Sequence, residues 1–300
     1  WLGEGMSKIQ VQTSRFKELT RGLFKYVTYN TKTKVGFIII MIFVLTAIIE
    51  GIGGYRILPY NPLKYFVGKP FSPPSLLHPF GTTELGRDLF SMIIAGTPAA
   101  AIVTFTVVGF AFVFGFLLGS ISAYFGGILD EILMRITDMF LTIPGLIFAM
   151  VLAFILGPSV YHAMIALMIF WWPTYARLAR SEALRVVQMN FVEAAKLAGI
   201  PSWKIIFRHV YSVVAPTLLT YATMDLGTVV LAYSALSFLG LSVRLPYPDW
   251  GYMISAYLKY VFTAPWLPLT PVIIILIVAA GFILFGDGLR DALGKEYGLR

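Results

Sequence analysis

Histidines, glycine-lysine pairs and membrane-embedded acids are the residues of this chain with the chemistry to act, and their spacing decides which of them can. His78, His162 and His209 are scattered, with no HExxH or comparable ligand spacing, so no metal site is expected. Gly68-Lys69 and Gly294-Lys295 could each close a phosphate-cradling loop, but no glycine stands five residues before either pair. The GxxxxGK pattern whose backbone N–H groups wrap ATP phosphates is therefore missing. No GxSxG elbow occurs, and the two acids in apolar surroundings, Asp138 and Asp225, lie too far apart in sequence to be read as a pair. The chain is expected to hold no cofactor and to catalyse nothing itself. One polar stretch remains, NFVEAAKLAGIPSWKIIFRHV, Asn190 to Val210, set between long apolar runs.

Those runs define the elements that must position it. Of 300 residues 58% are hydrophobic and 13% charged, with a mean hydropathy of +0.80. So few polar side chains cannot cover a water-exposed globule, and the chain is an integral membrane protein. The net charge of +8 fits basic loops on an anionic membrane face rather than nucleic acid. With no cysteine, disulfides and thiolate metal sites are excluded. An apolar helix needs about 20 residues to cross the hydrocarbon core. Counting between charges gives six spans: residues 35–54; Ala99 to Phe125, after an interruption at Gly96 and Pro98; two between Asp138 and Arg177 with a turn at Gly157-Pro158-Ser159; Pro216 to Leu239; and Leu267 to Phe285. Gly115 and Gly119 in the second span form a small-xxx-small pair suited to close helix approach. The expected organisation is an N-terminal amphipathic segment (1–34), a first span (35–54), an external loop (55–98), a five-helix core (99–286) containing a loop at 187–212, and a tail (287–300).

Lysine and arginine orient the spans. With the N-terminus inside, the inner segments hold 17 basic residues and the outer ones 6, so both termini and the Asn190 to Val210 insert are expected in the cytoplasm. Residues 1–34 read as a basic amphipathic stretch lying on membrane lipid, not as a signal peptide, because no small-residue cleavage site follows the first apolar run. Asp225 lies within a span, where a carboxylate is costly; it either lines a pathway or is a satisfied interior acid, bonded to Thr223, Tyr221 or a neighbouring helix. Asp138 is placed at the start of the third span, where an acid suits a helix N-terminus. Outside, Tyr247 and Trp250 stand among aromatic and proline residues that form either a docking face or an interfacial belt.

Within the insert, Asn190 with Glu193 makes a capping-box-like start, Gly199 and Pro201 stop the helix, and Ser202 can cap a second short helix through Trp203, Ile206, Phe207 and Val210. Glu193 could simply cap and the large apolar residues simply face headgroups. The segment EAAKLAG, Glu193 to Gly199, however, resembles the EAA motif in the cytoplasmic loop of binding-protein-dependent ABC importer permeases. HPFGTTELGRDLFS (78–91), ALSFLGLSVRLPYPDWGYMI (235–254) and LFGDGLRDAL (284–293) resemble further segments of the dipeptide and oligopeptide class, in order. Thr83, Tyr233 and the Tyr211 to Val213 triplet depart from that pattern, Tyr233 standing where glutamate is common.

The resemblance implies an all-helical polytopic fold of the type I ABC importer permease kind, with six transmembrane helices and a cytoplasmic coupling helix hairpin. Glu193, Ala194, Ala195, Ala198, Gly199, Trp203 and Phe207 would then form the contact with an ATP-hydrolysing partner. It further implies a homologous second permease, two ATP-binding cassette subunits carrying ATP and magnesium, and an external solute-binding protein. The solute would be a di- or oligopeptide, or an oligosaccharide. The competing class is an ion-coupled secondary transporter or channel, for which Asp225 alone speaks, since no inverted repeat is visible.

Overall fold

The computed structural model describes residues 30–243 and 246–296, with side chains through 292. Apart from residues 30–34, the amphipathic segment lies outside the described residues, as do residues 297–300 of the tail. Among the described residues ten α-helices follow one another: α1 (Thr31–Gly53), α2 (Leu89–Phe125), α3 (Gly127–Thr142), α4 (Gly145–Leu156), α5 (Val160–Val187), α6 (Asn190–Leu197), α7 (Ser202–Lys204), α8 (Tyr211–Phe238), α9 (Trp250–Tyr257) and α10 (Trp266–Glu296). A π-helical segment, Ile205–Val210, joins α7 to α8 without a break. No strand forms among the described residues.

Four of these rods are long and apolar enough to cross a membrane: Thr31–Ile57, Leu89–Phe125, Ser202–Phe238 and Trp266–Ala292. The pair α3 and α4, bent by 83° at a short break, supplies a fifth if taken as one broken span. Helix α5, where another span is expected, has 28 residues, but its second half carries Arg177, Arg180, Glu182 and Arg185 and leaves the apolar range, so four or five helices among the described residues meet that measure. Together they make an all-helical, polytopic bundle.

The second rod begins ten residues before the expected Ala99. Asp88 caps it, its Oδ2 accepting from the Ser91 N–H at 2.8 Å and from the Ser91 hydroxyl at 2.7 Å. Gly96 and Pro98 do not end it, and Gly96 serves a partner distant in sequence. The Trp250 indole lies where a side chain at Gly96 would stand, 3.0 Å from that Cβ position, and donates to the Ile93 carbonyl at 2.8 Å. Asp138 is likewise displaced from expectation: it lies near the C-terminal end of α3 and pairs with Arg177 of α5 rather than with a helix N-terminus.

Small residues set the helix spacing. A Cβ on Gly115 would come 2.4 Å from the Tyr175 Cβ, and one on Gly119 would come 2.3 Å from the Ala176 carbonyl, so α2 and α5 touch backbone to backbone as the glycine pair predicts. Gly288 lies against Thr33, which brings the start of α1 and the end of α10 to one end of the bundle, and Gly286 lies against Met224 in the middle of α8. The α5–α6 junction lies at that same end, where Lys196 of α6 sits 4.8 Å above the Tyr124 ring of α2.

Candidate functional site

At that end α6, a tight turn and α7 form a hairpin. Helix α6 starts without a side-chain cap: Met189 occupies the cap position and Asn190 is the first helical residue, so the expected capping box does not form. Glu193 stays free and exposed in the first turn, where an acid favours the positive end of the helix dipole. The helix stops in a Schellman arrangement, with Ile200 N–H donating to the Ala195 carbonyl at 3.1 Å and Gly199 N–H to the Lys196 carbonyl at 3.0 Å. Gly199 adopts φ +72°, and an added Cβ there would meet nothing within 4 Å. The turn therefore demands glycine for its backbone, not for space.

The second arm differs from the expected short capped helix. Pro201, not Ser202, occupies the cap position, with no side-chain bond. From Ser202 the chain runs on through the π-helical segment into α8, so the arm is the protruding start of a membrane rod. The Ser212 hydroxyl donates to the Arg208 carbonyl at 2.6 Å at that junction. The second arm of the hairpin is thereby continuous with α8.

Burial divides the hairpin into two faces. Val192, Ala195, Ile205, Ile206 and Val210 are buried against the bundle. Ala195 thus faces inward and is not part of an outward contact, correcting the expectation for that residue. Outward stand Glu193, Ala194, Ala198 and Gly199 with three large apolar side chains: Leu197 at 85% exposure, Trp203 at 60% and Phe207 at 54%. Sequence reasoning missed Leu197, although it lies at i+4 from Glu193 and shares its helix face. An apolar ridge with an acid and small residues beside it is thus left open at this end of the bundle by the described residues.

Asp225 lies near the middle of α8 and is buried. Its Oδ2 accepts from Trp171 Nε1 at 2.6 Å and from the Tyr175 hydroxyl at 2.9 Å, both on α5. Thr223 instead bonds the Leu219 carbonyl, and Tyr221 packs edge-on against Tyr175 at 5.1 Å, so of the expected partners only the neighbouring helix supplies donors. Nearer the hairpin, Arg180 Nε and Nη2 grip the two carboxylate oxygens of Asp130 on α3, each at 2.6 Å. Among the described residues no group of three histidine or acidic side chains could hold a metal ion.

The opposite end of the bundle gathers the segments 78–91 and 235–254. Arg87, only 2% exposed, donates to the Pro62 carbonyl at 2.8 Å through Nε and to the Pro246 carbonyl at 2.6 Å through Nη2. Asp249 accepts from the Tyr233 hydroxyl at 2.6 Å, from the hydroxyls of Ser237 and Ser242, and from the N–H groups of Gly251 and Tyr252. Tyr233, where the pattern has glutamate, therefore spares Asp249 a buried like charge. His78 Nδ1 meets Asp88 Oδ1 at 2.8 Å. Trp250 is 3% exposed and bonded inward, so it cannot belong to a docking face; Tyr247, 57% exposed, still can.

Residues 115–298 match the family described as binding-protein-dependent transport system inner membrane component. The chain is 42% identical over 226 residues, 75% of its length and 76% of the relative's, to the probable D,D-dipeptide transport system permease protein DdpC of Escherichia coli. It is 38% identical over 277 residues, 92% of this chain and 90% of the relative's, to the dipeptide transport system permease protein DppC of Alkalihalophilus pseudofirmus. To the glutathione transport system permease protein GsiD of Pectobacterium atrosepticum it is 33% identical over 256 residues, 85% of each. With a helical bundle, an outward hairpin and this match over more than half its length, the chain belongs to the family of binding-protein-dependent transport system inner membrane components.

Proposed function

We propose that this chain is the permease subunit of an ABC importer that admits di- or oligopeptides, and that its hairpin is the handle by which an ATPase moves the bundle. The single observation carrying the coupling role is the outward apolar ridge of Leu197, Trp203 and Phe207 beside Glu193, built on an arm continuous with α8. The peptide assignment rests on the names of the relatives, two of which are dipeptide systems and one a glutathione system. An oligosaccharide remains the alternative solute.

In this reading the hairpin, residue 30 and the end of α10 face the cytoplasm, in keeping with the excess of basic residues there. Two ATP-binding cassette subunits dock beneath, holding ATP and magnesium that the present chain has no loop to bind. A second, homologous permease completes the pathway, and a binding protein delivers solute at the end carrying Tyr247. Closure of the ATPases pushes Glu193, Ala194, Ala198, Trp203 and Phe207, tilts α8 and exposes the pathway to each side in turn. Asp225 is the acid of that pathway.

Uptake by the complete complex in vesicles tests the class. ATP-dependent uptake of a dipeptide, unaffected by dissipating ion gradients, is expected. Uptake driven by an ion gradient without ATP would make the chain a secondary transporter. Single cysteines at Ser202 and Ser75 in this cysteine-free chain should label only from the cytoplasmic and only from the external side, respectively.

A further inference from the structure

Asp225 is 7% exposed, at mid-height in the bundle, where an acid without function costs several kcal/mol. Its two oxygens are treated differently. Oδ2 takes both hydrogen bonds, from Trp171 and Tyr175. Oδ1 takes none among the described residues, yet it is not among the buried oxygens sealed off without a partner, so it keeps some accessible surface. An acid present only to join α5 to α8 would be served by both oxygens. Here one oxygen is a tether and the other is left presented.

The surroundings favour a wet, cation-seeking site. Thr220 and Thr223 on α8 turn their hydroxyls back onto the carbonyls of Pro216 and Leu219, as threonine does against lipid. Thr228, one turn beyond Asp225, and Thr174, beside Tyr175, are exposed and make no hydrogen bond within the described protein. Unsatisfied hydroxyls at mid-membrane fit water or solute and not hydrocarbon. The rings of Trp171, Tyr175 and Tyr221 flank the carboxylate, Tyr175 and Tyr221 at 76° to one another. A carboxylate oxygen left without a hydrogen-bond partner is suited to an ammonium group, which gains a charge-assisted hydrogen bond there.

We propose that Asp225 Oδ1 receives the ammonium group of the solute as it crosses, with Trp171 and Tyr175 positioning the carboxylate through Oδ2. The proposal rests on the peptide reading above, and it assigns the free amino end of the peptide to a named atom. Such a site must release its solute, and a single charge-assisted bond leaves binding weak enough for passage.

The test uses the complete importer complex without the binding protein, titrated to millimolar concentrations with Ala-Ala and with N-acetyl-Ala-Ala. Emission of Trp171, taken as the difference between wild type and Trp171→Phe, reports occupancy. Ala-Ala should give a saturable change, N-acetyl-Ala-Ala should bind on the order of tenfold more weakly, and Asp225→Asn should erase the difference between them. Asp225→Glu should restore part of it, a rescue that a purely structural role does not predict. Equal responses to the two peptides, a preference surviving in Asp225→Asn, or no response in a complex that nevertheless imports Ala-Ala would each overturn the ammonium site and leave the peptide reading standing. Failure of the wild-type complex, with its binding protein, to import Ala-Ala while importing an oligosaccharide would overturn both.

Discussion

Leu197, Trp203 and Phe207 project from one end of the bundle, each more than half exposed among the described residues, whereas Arg87, Asp88 and Asp249 at the other end are buried and hydrogen-bonded. Both sets belong to segments that stand out in the sequence, and the difference lies in what completes each. At the hairpin end the protein leaves apolar surface open and holds it in place with a glycine turn. At the far end it satisfies Arg87, Asp88 and Asp249 internally, using Asp249 to cap α9 and Arg87 to tie two loop carbonyls 184 residues apart, from Pro62 to Pro246. A distinctive motif can thus mark either a contact waiting for a partner or a lock already made, and burial tells which.

The lock should be the costlier end to damage. Asp249→Ala removes the acceptor for three hydroxyls and two backbone N–H groups in a dry setting, and on the order of 3 kcal/mol of stability should go with it. Thermal unfolding of the solubilised complex checks this; a midpoint equal to wild type would show that the network is ornamental. Gly199→Ala forces a side chain into the left-handed region and should cost about 1 to 2 kcal/mol locally. Its signature is uptake that falls further than unfolding stability does, and a parallel fall in both would make the turn merely structural. Trp203→Ser sits at the open end and should shift stability by no more than about 0.5 kcal/mol while still reducing ATP-driven uptake. Smallest of all, Glu131→Gln breaks an exposed pair with Arg135 and should change stability by roughly 0.3 kcal/mol and uptake not at all, as read by the same two assays.

Much of this contrast is legible in the sequence where the signal is local. Charges bound the apolar runs, Gly157 with φ +89° turns the chain before Ser159 caps α5, and Gly199 ends α6 as a glycine past a helix end should. Gly115 and Gly119 announce the α2–α5 contact through their spacing. What escapes is set by residues far away in sequence. Gly96 and Pro98 read as a break until Trp250 is seen filling the Gly96 notch, and Asp225 is left among Thr223, Tyr221 and a neighbouring helix until Trp171 and Tyr175 arrive from α5. Ala195 and Ala198 are the same residue type, one turn apart, yet only packing against the bundle decides that the first turns in and the second out. The capping box fails for a related reason, because the helix begins one residue early and Asn190 becomes part of it.

The central claim is that the exposed ridge of the hairpin is an ATPase contact. Leu197→Asp tests it most directly, because the side chain touches nothing that the bundle needs and the change replaces apolar surface with charge. Affinity purification of the permease complex carrying this variant, with the ATPase subunits quantified against the second permease, should show the ATPase depleted several-fold and the permease pair intact. Full retention of the ATPase, with normal ATP-driven uptake, would contradict the account.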